Sequence, residues 1–203
     1  MDLASILKGR RSIRKYKKDP IAREILEEIL TTALWAPSGM NLQNWEIYVV
    51  GGKTRDQIAA AVSRAKPFIE PAIKELFPNK IVQFTMQFFT NFGDAPFLIL
   101  VYVPRIPVNI DPGMSSLVRY NAERMRLTSF LSAAALVQNI LILAYEKGLG
   151  TCWTADPKRA EDEINDILGI KNKELVACIP IGYPDHTPPV PPRKGDKIHW
   201  IDY

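Results

Sequence analysis

The chain has 203 residues, of which 47% are hydrophobic and 24% charged, a balance that excludes general disorder and suffices for one sizeable core. It carries 26 Lys+Arg against 22 Asp+Glu, but seven of the cations (Lys8, Arg10, Arg11, Arg14, Lys15, Lys17, Lys18) fall between Lys8 and Lys18 with no carboxylate among them, leaving 19 against 22 elsewhere. Basicity gathered in one place suits a single small dianion and argues against a nucleic-acid surface, which spreads Lys and Arg along a face.

In chain order, Arg10-Arg11-Ser12-Ile13-Arg14 alternates long cations with a hydroxyl, so guanidinium forks, the Ser12 hydroxyl and backbone N–H groups can converge on phosphate oxygens. Apolar residues at Ile21, Ile25, Leu26, Ile29, Leu30, Ala33 and Leu34 predict a helix over 21–34 that stops before Pro37 and delivers the loop Ser38 to Gln43. Trp45 to Val50 reads as a strand ended by Gly51-Gly52, and Thr54 with Gln57 reads as a capping box opening a helix to about Ala65. Lys80 to Phe92 predicts a helix loaded with core residues, and Pro96 to Val103 a fully buried strand.

Leu127 to Tyr145 holds no charge over 19 residues, close to the length that spans a bilayer. Thr128, Ser129, Ser132, Gln138 and Asn139 are too many polar groups for a lone span, and Ala133, Ala134 and Ala135 suit close packing, so no membrane partner is expected and the stretch reads as a central buried helix. Gly148 and Gly150 permit its left-handed C-cap. Asp156-Pro157 opens a further helix ending before Gly169, and Leu175 to Ile181 is a last buried strand. Pro184, Pro188, Pro189, Pro191 and Pro192 then forbid regular structure, and a tail bearing Ile198, Trp200 and Ile201 needs a surface to lie on, a partner subunit being one candidate.

No Gly/Ser linker, low-complexity tract or repeat divides the chain, so residues 1–203 read as one domain, with 184–203 as a Pro-rich tail. The class is α+β or three-layer α/β/α. The N-terminus lacks the pattern of a secretory signal, which makes cytoplasmic residence the expectation. Cys152 and Cys178 form no CxxC, and His186 and His199 are too sparse for a metal, so no metal site is expected.

No GxGxxG, GxxxxGK[ST], HExxH or GxSxG occurs, so protein-side acid, base or nucleophile chemistry is not advertised. A bound cofactor is then the carrier of any reaction. The basic cluster asks for a phosphate on it, and Ser38, Asn41 and Gln43 ask for a polar heterocycle to be read by hydrogen bonds.

At this point the residues resemble the FMN-dependent nitroreductases. Arg10-Arg11-Ser12-Ile13-Arg14 is similar to that family's opening phosphate motif, Ala36-Pro37-Ser38-Gly39-Met40-Asn41-Leu42-Gln43-Asn44-Trp45 to its second, and Gly148-Leu149-Gly150-Thr151-Cys152-Trp153 to its third. Ile181-Gly182-Tyr183-Pro184 and Pro191-Pro192-Arg193-Lys194 complete the series in order. The resemblance implies a mixed, mostly antiparallel sheet flanked by helices, with a long core helix. It also implies a homodimer with FMN at the subunit interface, reduced by NADH or NADPH and reoxidised by nitroaromatics or quinones in ping-pong fashion.

By the same resemblance, Arg10, Arg11, Ser12 and Arg14, with Arg193 and Lys194, hold the phosphate or ribityl chain, and Arg14 also lies near the pyrimidine side of the ring. Pro37, Ser38, Gly39, Asn41 and Gln43 are contacts supplied from the opposite subunit, and Leu149, Gly150 and Thr151 form a backbone strip beside the flavin. No catalytic side chain is implied. Asn44 departs from the family's usual proline and loosens the loop without removing a flavin contact; Ser132 departs from a common aspartate, which puts a helix-partner hydrogen bond in doubt. Substrate identity is expected in 104–126, where Arg105, Met114, Tyr120, Arg124 and Arg126 are candidates to cover the flavin face. The alternatives are a specialised flavoenzyme of the same ancestry, a dehalogenase or flavin-consuming type, and a cofactor-free nucleic-acid-binding protein.

Overall fold

In the computed structural model, which describes residues 2–107, 113 and 115–202, the chain opens on a two-turn helix, α1 (Leu3–Gly9). Asp2 caps it, accepting from Ser5 N at 3.0 Å and Ser5 Oγ at 2.7 Å. Periodicity cannot reveal so short an element. The predicted helix α2 (Arg23–Ala33) follows, with Leu26, Ile29 and Ala33 turned inward, and after the loop comes β1 (Glu46–Gly51).

The helix α3 (Gly52–Arg64) begins two residues earlier than the capping box predicts. Its N-cap is Gly51, which has no side chain to cap with, and Gly52 takes φ 52° and turns the chain directly out of the strand. A further helix absent from the sequence reading, α4 (Lys66–Lys74), precedes α5 (Asn79–Asn91). Of the apolar residues in α5 only Val82, Phe88 and Phe89 are buried, so the expected core stripe is half exposed.

Then come β2 (Phe97–Pro104), α6 (Ser116–Glu146), β3 (Gly150–Thr151), α7 (Glu161–Leu168) and β4 (Lys173–Gly182). The sheet order is β1-β2-β4-β3 with every neighbouring pair antiparallel, and a single parallel bridge joins Ser12 to Thr151. The pleat of β2 sorts two cores. Leu98, Leu100 and Tyr102 pack with Ile58 and Val62 of α3, Ile69 of α4, Phe88 of α5 and Ile164 of α7, while Ile99, Val101 and Val103 pack with Ile29 of α2 and Leu136 and Ile140 of α6. Helices therefore cover both faces, the expected three-layer α/β/α form.

The core helix is three turns longer than its uncharged stretch, because Arg119, Glu123, Arg124 and Arg126 keep helical backbone without burial. It is also less buried than its composition suggests. Ala133, Leu136, Val137, Ile140 and Ala144 lie against the sheet, but Leu127 and Leu131 are 61% and 64% exposed. Gly148 takes φ 74° just past its end, the left-handed stop that glycine permits.

Candidate functional site

The first and third motifs meet along the free side of β3. Ile13 N donates to Thr151 O at 2.9 Å, and Ile13 itself is buried. A Cβ on Gly150 would fall 2.8 Å from Ile13 Cγ1, so in this chain the missing side chain admits the N-terminal segment. Tyr16 fixes the segment further: its N–H donates to Gly93 O at 3.0 Å, and its buried hydroxyl donates to Ile13 O at 2.6 Å and Pro180 O at 3.2 Å. Burial holds the Tyr16 pKa well above that of an ordinary phenol, so the hydroxyl stays a donor.

Among the described residues the arginines of this segment gather without counter-charges, whereas Lys15 pairs with Asp185 at 3.2 Å. Burial, then the neighbouring Arg11, lowers the Arg10 pKa, and Arg193 from the tail is close enough to add to the effect. Arg11 Nη1 donates to Lys8 O at 2.7 Å and Arg10 O at 2.6 Å, whereas its Nε and Nη2 are buried with no partner. Among the described residues no carboxylate pairs with Arg10, Arg11, Arg14, Arg193 or Lys194. Lys194 is exposed. Ser12 pairs with Thr151 through the parallel bridge, and burial raises the pKa of the neighbouring Cys152 thiol despite the charge of Arg14, leaving it a poor nucleophile; Cys178 is likewise free and buried.

The second motif stands elsewhere. Gly39 N donates to Ser132 Oγ at 3.1 Å, Ser132 Oγ donates to Thr128 O at 2.8 Å, and Asn44 Nδ2 donates to Ser129 Oγ at 2.8 Å. Asn44 thus ties the loop to α6 where loosening was expected, and Ser132 supplies the hydrogen bond that its departure from aspartate had put in doubt. Met40, Asn41 and Gln43 hold φ between 46° and 54°, an uncommon region for side-chain-bearing residues, at a cost of about 1–3 kcal/mol each. That backbone turns Pro37, Asn41 and Gln43 outward to solvent, with Trp35 and Met40 89% and 86% exposed beside them.

Within one chain the two groups of motif residues are far apart. Gly39 abuts Thr128, while Gly9, beside the arginine cluster, abuts Tyr145 at the other end of α6. At 1.5 Å per residue those two points of the helix are about 25 Å apart.

A cavity of about 650 Å³ opens at the opposite end of the sheet, lined by Arg105, Glu123, Arg126 and Glu174. Along β4 that end is about 30 Å from Gly182 at strand spacing. Its cations are already neutralised: Arg105 Nη2 lies 2.9 Å from Glu161, Arg126 Nη2 2.5 Å from Glu174, and Lys158 2.9 Å from Glu174. Arg105 and Arg126, two of the expected flavin-covering residues, are therefore structural ion-pair partners. Tyr120 and Arg124 lie on the exposed part of α6, and Met114 is outside the described residues.

Sequence reading missed a nearer neighbour of the arginines. Arg14 lies 6.0 Å from the ring centroid of Phe84 on α5, and the two share a cavity of about 380 Å³ with Gln87 and Phe88. An apolar residue inside a helical stripe carries no mark of which side stays open, so no local signal pointed to it.

The arrangement of an arginine cluster on a glycine-bearing edge strand, inside a three-layer fold, agrees with the Nitroreductase family profile, which matches residues 7–183. The chain belongs to the nitroreductase family. YfhC of Bacillus subtilis (strain 168), assigned as an NAD(P)H nitroreductase, is 28% identical over 198 residues covering 94% of this chain and 89% of its own. Among solved structures, a BluB-like flavoprotein from Clostridium difficile 630 matches at TM-score 0.73 and 25% identity, over 96% of this chain and 95% of that one. The fold of the FMN- and NADPH-dependent nitroreductase NfnB from a Sphingopyxis strain is similar at TM-score 0.76, 21% identity and full coverage of both chains. Nitroreductase-family membership accounts for the order of the motifs along the chain.

Proposed function

We propose that this chain binds FMN and passes electrons from NADH or NADPH to electron-poor acceptors such as nitroaromatics or quinones, the two half-reactions alternating in a ping-pong cycle. The observation that carries this reading is the cluster of Arg10, Arg11 and Arg193, in which two buried donors of Arg11 have no acceptor. Such donors cost about 1–3 kcal/mol each unless an anion accepts from them, and a phosphate monoester offers the oxygens that forked guanidinium groups fit. The names of YfhC and the BluB-like flavoprotein support the nicotinamide donor and the flavin.

Bound FMN would supply the two-electron chemistry. In this reading Arg10, Arg11, Ser12, Arg193 and Lys194 hold its phosphate end, and Leu149, Gly150 and Thr151 run beside the ring. Arg14 faces the pyrimidine side, where Coulomb attraction favours an anionic, electron-rich ring and so draws electrons toward it. No side chain is assigned as acid, base or nucleophile.

The reading makes the active unit a homodimer. Pro37, Ser38, Gly39, Asn41 and Gln43 lie about 25 Å along α6 from the chain's own cluster, which supports their serving the site of a second copy. The exposed Trp35, Met40, Leu127 and Leu131, and the apolar tail residues Val190, Ile198 and Ile201, are surface that a partner would cover. Two free cysteines fit a cytoplasmic residence.

The test is a split-site complementation. Arg14→Glu in one copy and Asn41→Ala with Gln43→Ala in another should each abolish flavin content alone. A heterodimer of the two has one doubly damaged site and one intact site, so about half of the normal heat-released FMN should return. A heterodimer without FMN would refute the shared site, and wild-type protein that takes up no FMN would refute the function itself.

A further inference from the structure

The exposed half of the α5 stripe runs down onto Arg14. Ile81 and Phe84, with Phe77 just before the helix, are 46%, 50% and 48% exposed, whereas Phe88 is buried. Phe84, Gln87, Phe88 and Asn91 follow at i, i+3, i+4 and i+7, so they share one helical face, and all four line the cavity of about 380 Å³ that Arg14 closes below. That volume falls in the range of small-molecule sites.

The two walls are held in fixed relation. Phe92 ends α5 in a left-handed cap, and Gly93 accepts the Tyr16 N–H at 3.0 Å. A Cβ at Gly93 would collide with the Arg14 carbonyl, so the helix end and the arginine segment approach as closely as backbones allow. Arg55 donates to Ala95 O at 3.0 Å and to Asn91 O, clamping the same corner. Phe84 therefore stands two turns up a rigid helix with its ring beside a guanidinium that no carboxylate neutralises among the described residues. Asp94, the carboxylate on the cavity rim, accepts instead from Asn91 Nδ2 at 2.8 Å.

We propose that this cavity is the acceptor pocket, with Phe84 as the platform on which a planar aromatic acceptor stacks and Gln87 as a hydrogen-bond donor to its oxygen substituents. The inference rests on the flavin reading above, in which Arg14 marks the ring. A flat, oxygen-bearing and electron-poor aromatic complements all three groups: an aromatic face, an amide N–H and a positive field. An aliphatic acceptor lacks the flat face that stacks on Phe84, and a cationic one is repelled by the charge of Arg14.

The test uses FMN-loaded protein and benzoate, a planar aromatic anion that cannot be reduced, titrated by calorimetry. Phe84→Ala should weaken benzoate binding roughly tenfold and Phe84→Leu a few-fold, with Phe84→Tyr close to wild type. The kcat/KM for nitrobenzene should fall in the same order, carried mainly by KM, with Phe84→Tyr restoring it. Benzoate affinity that is absent in the wild type, or equal in all four proteins, overturns the pocket. So does dissociation of Phe84→Ala in sedimentation, which would make Phe84 a subunit contact. Failure of wild-type protein to take up FMN removes the flavin reading and this inference together, whereas FMN uptake with unaltered benzoate binding removes the pocket alone.

Discussion

Replacing Arg11 with Met should leave the ligand-free protein nearly as stable as before and yet remove most of its stabilisation by FMN. Arg11 keeps two hydrogen bonds to the carbonyls of Lys8 and Arg10 but holds Nε and Nη2 buried and unpartnered. Losing the first, which are bonds from a charged group, costs about 1.5–3 kcal/mol each, and relieving the second returns about 1–3 kcal/mol per donor, so the two nearly cancel without ligand. With phosphate present the same two donors become charge-assisted bonds of about 1.5–3 kcal/mol each, so losing either weakens affinity about ten- to a hundredfold and losing both weakens it at least about a hundredfold. The assay is urea unfolding with and without FMN at a hundred times the wild-type Kd. Linkage then stabilises the wild type by about 2.7 kcal/mol and a variant of hundredfold lower affinity by only about 0.4 kcal/mol. Equal FMN stabilisation of the two proteins would refute the phosphate role of Arg11, and a large loss of stability without ligand would show that its carbonyl contacts dominate.

Gly150→Ala should destabilise the fold by about 1–3 kcal/mol through overpacking against the Cβ and both Cγ atoms of Ile13, measured by thermal unfolding, and should cost less in an Ile13→Ala background, which removes both Cγ atoms; strictly additive effects would remove the contact as the cause. Ser132→Ala deprives the Gly39 N–H of its acceptor, so FMN affinity should fall while the far-UV spectrum is unchanged; intact affinity would show that the strained loop holds itself. Burial pushes the Glu174 carboxyl up, but hydrogen bonds from Arg126 and Lys158 outweigh it and bring the pKa down from 4.5 to about 2. Its stabilising contribution is therefore present above pH 4.5 and lost as pH falls from there toward 2, and Glu174→Gln should flatten the unfolding free energy across that window. An unchanged slope in the variant would assign acid sensitivity to other groups.

Much of the site was legible because it is written in local chemistry. A run of arginines without carboxylates, a Pro-Ser-Gly turn after an amphipathic helix and a glycine pair closing a long apolar one each have one physical meaning at close range. Strand and helix types were legible for the same reason: the pleat of β2 and the stripe of α2 repeat with periods that local geometry imposes. Short elements such as α1 and α4 escaped, since two turns contain too few repeats to show a period.

Only the tertiary structure decided which side of each apolar stripe finds a neighbour. Phe84 and Phe88 differ by one turn and are chemically identical, yet Phe88 is buried in the core at the back of the cavity and Phe84 stands half exposed at it beside Arg14, because the Gly93 contact sets where α5 ends. Arg105 and Arg126 are as basic as Arg10 and Arg11 in sequence. Their roles diverge because β4 brings Glu174 to Arg126 and the start of α7 brings Glu161 to Arg105, just past β2, while among the described residues no carboxylate is brought to the second pair. Burial and charge neutralisation depend on partners distant in the chain, and it is those partners that separate the structural arginines of this protein from the ones left to hold an anion.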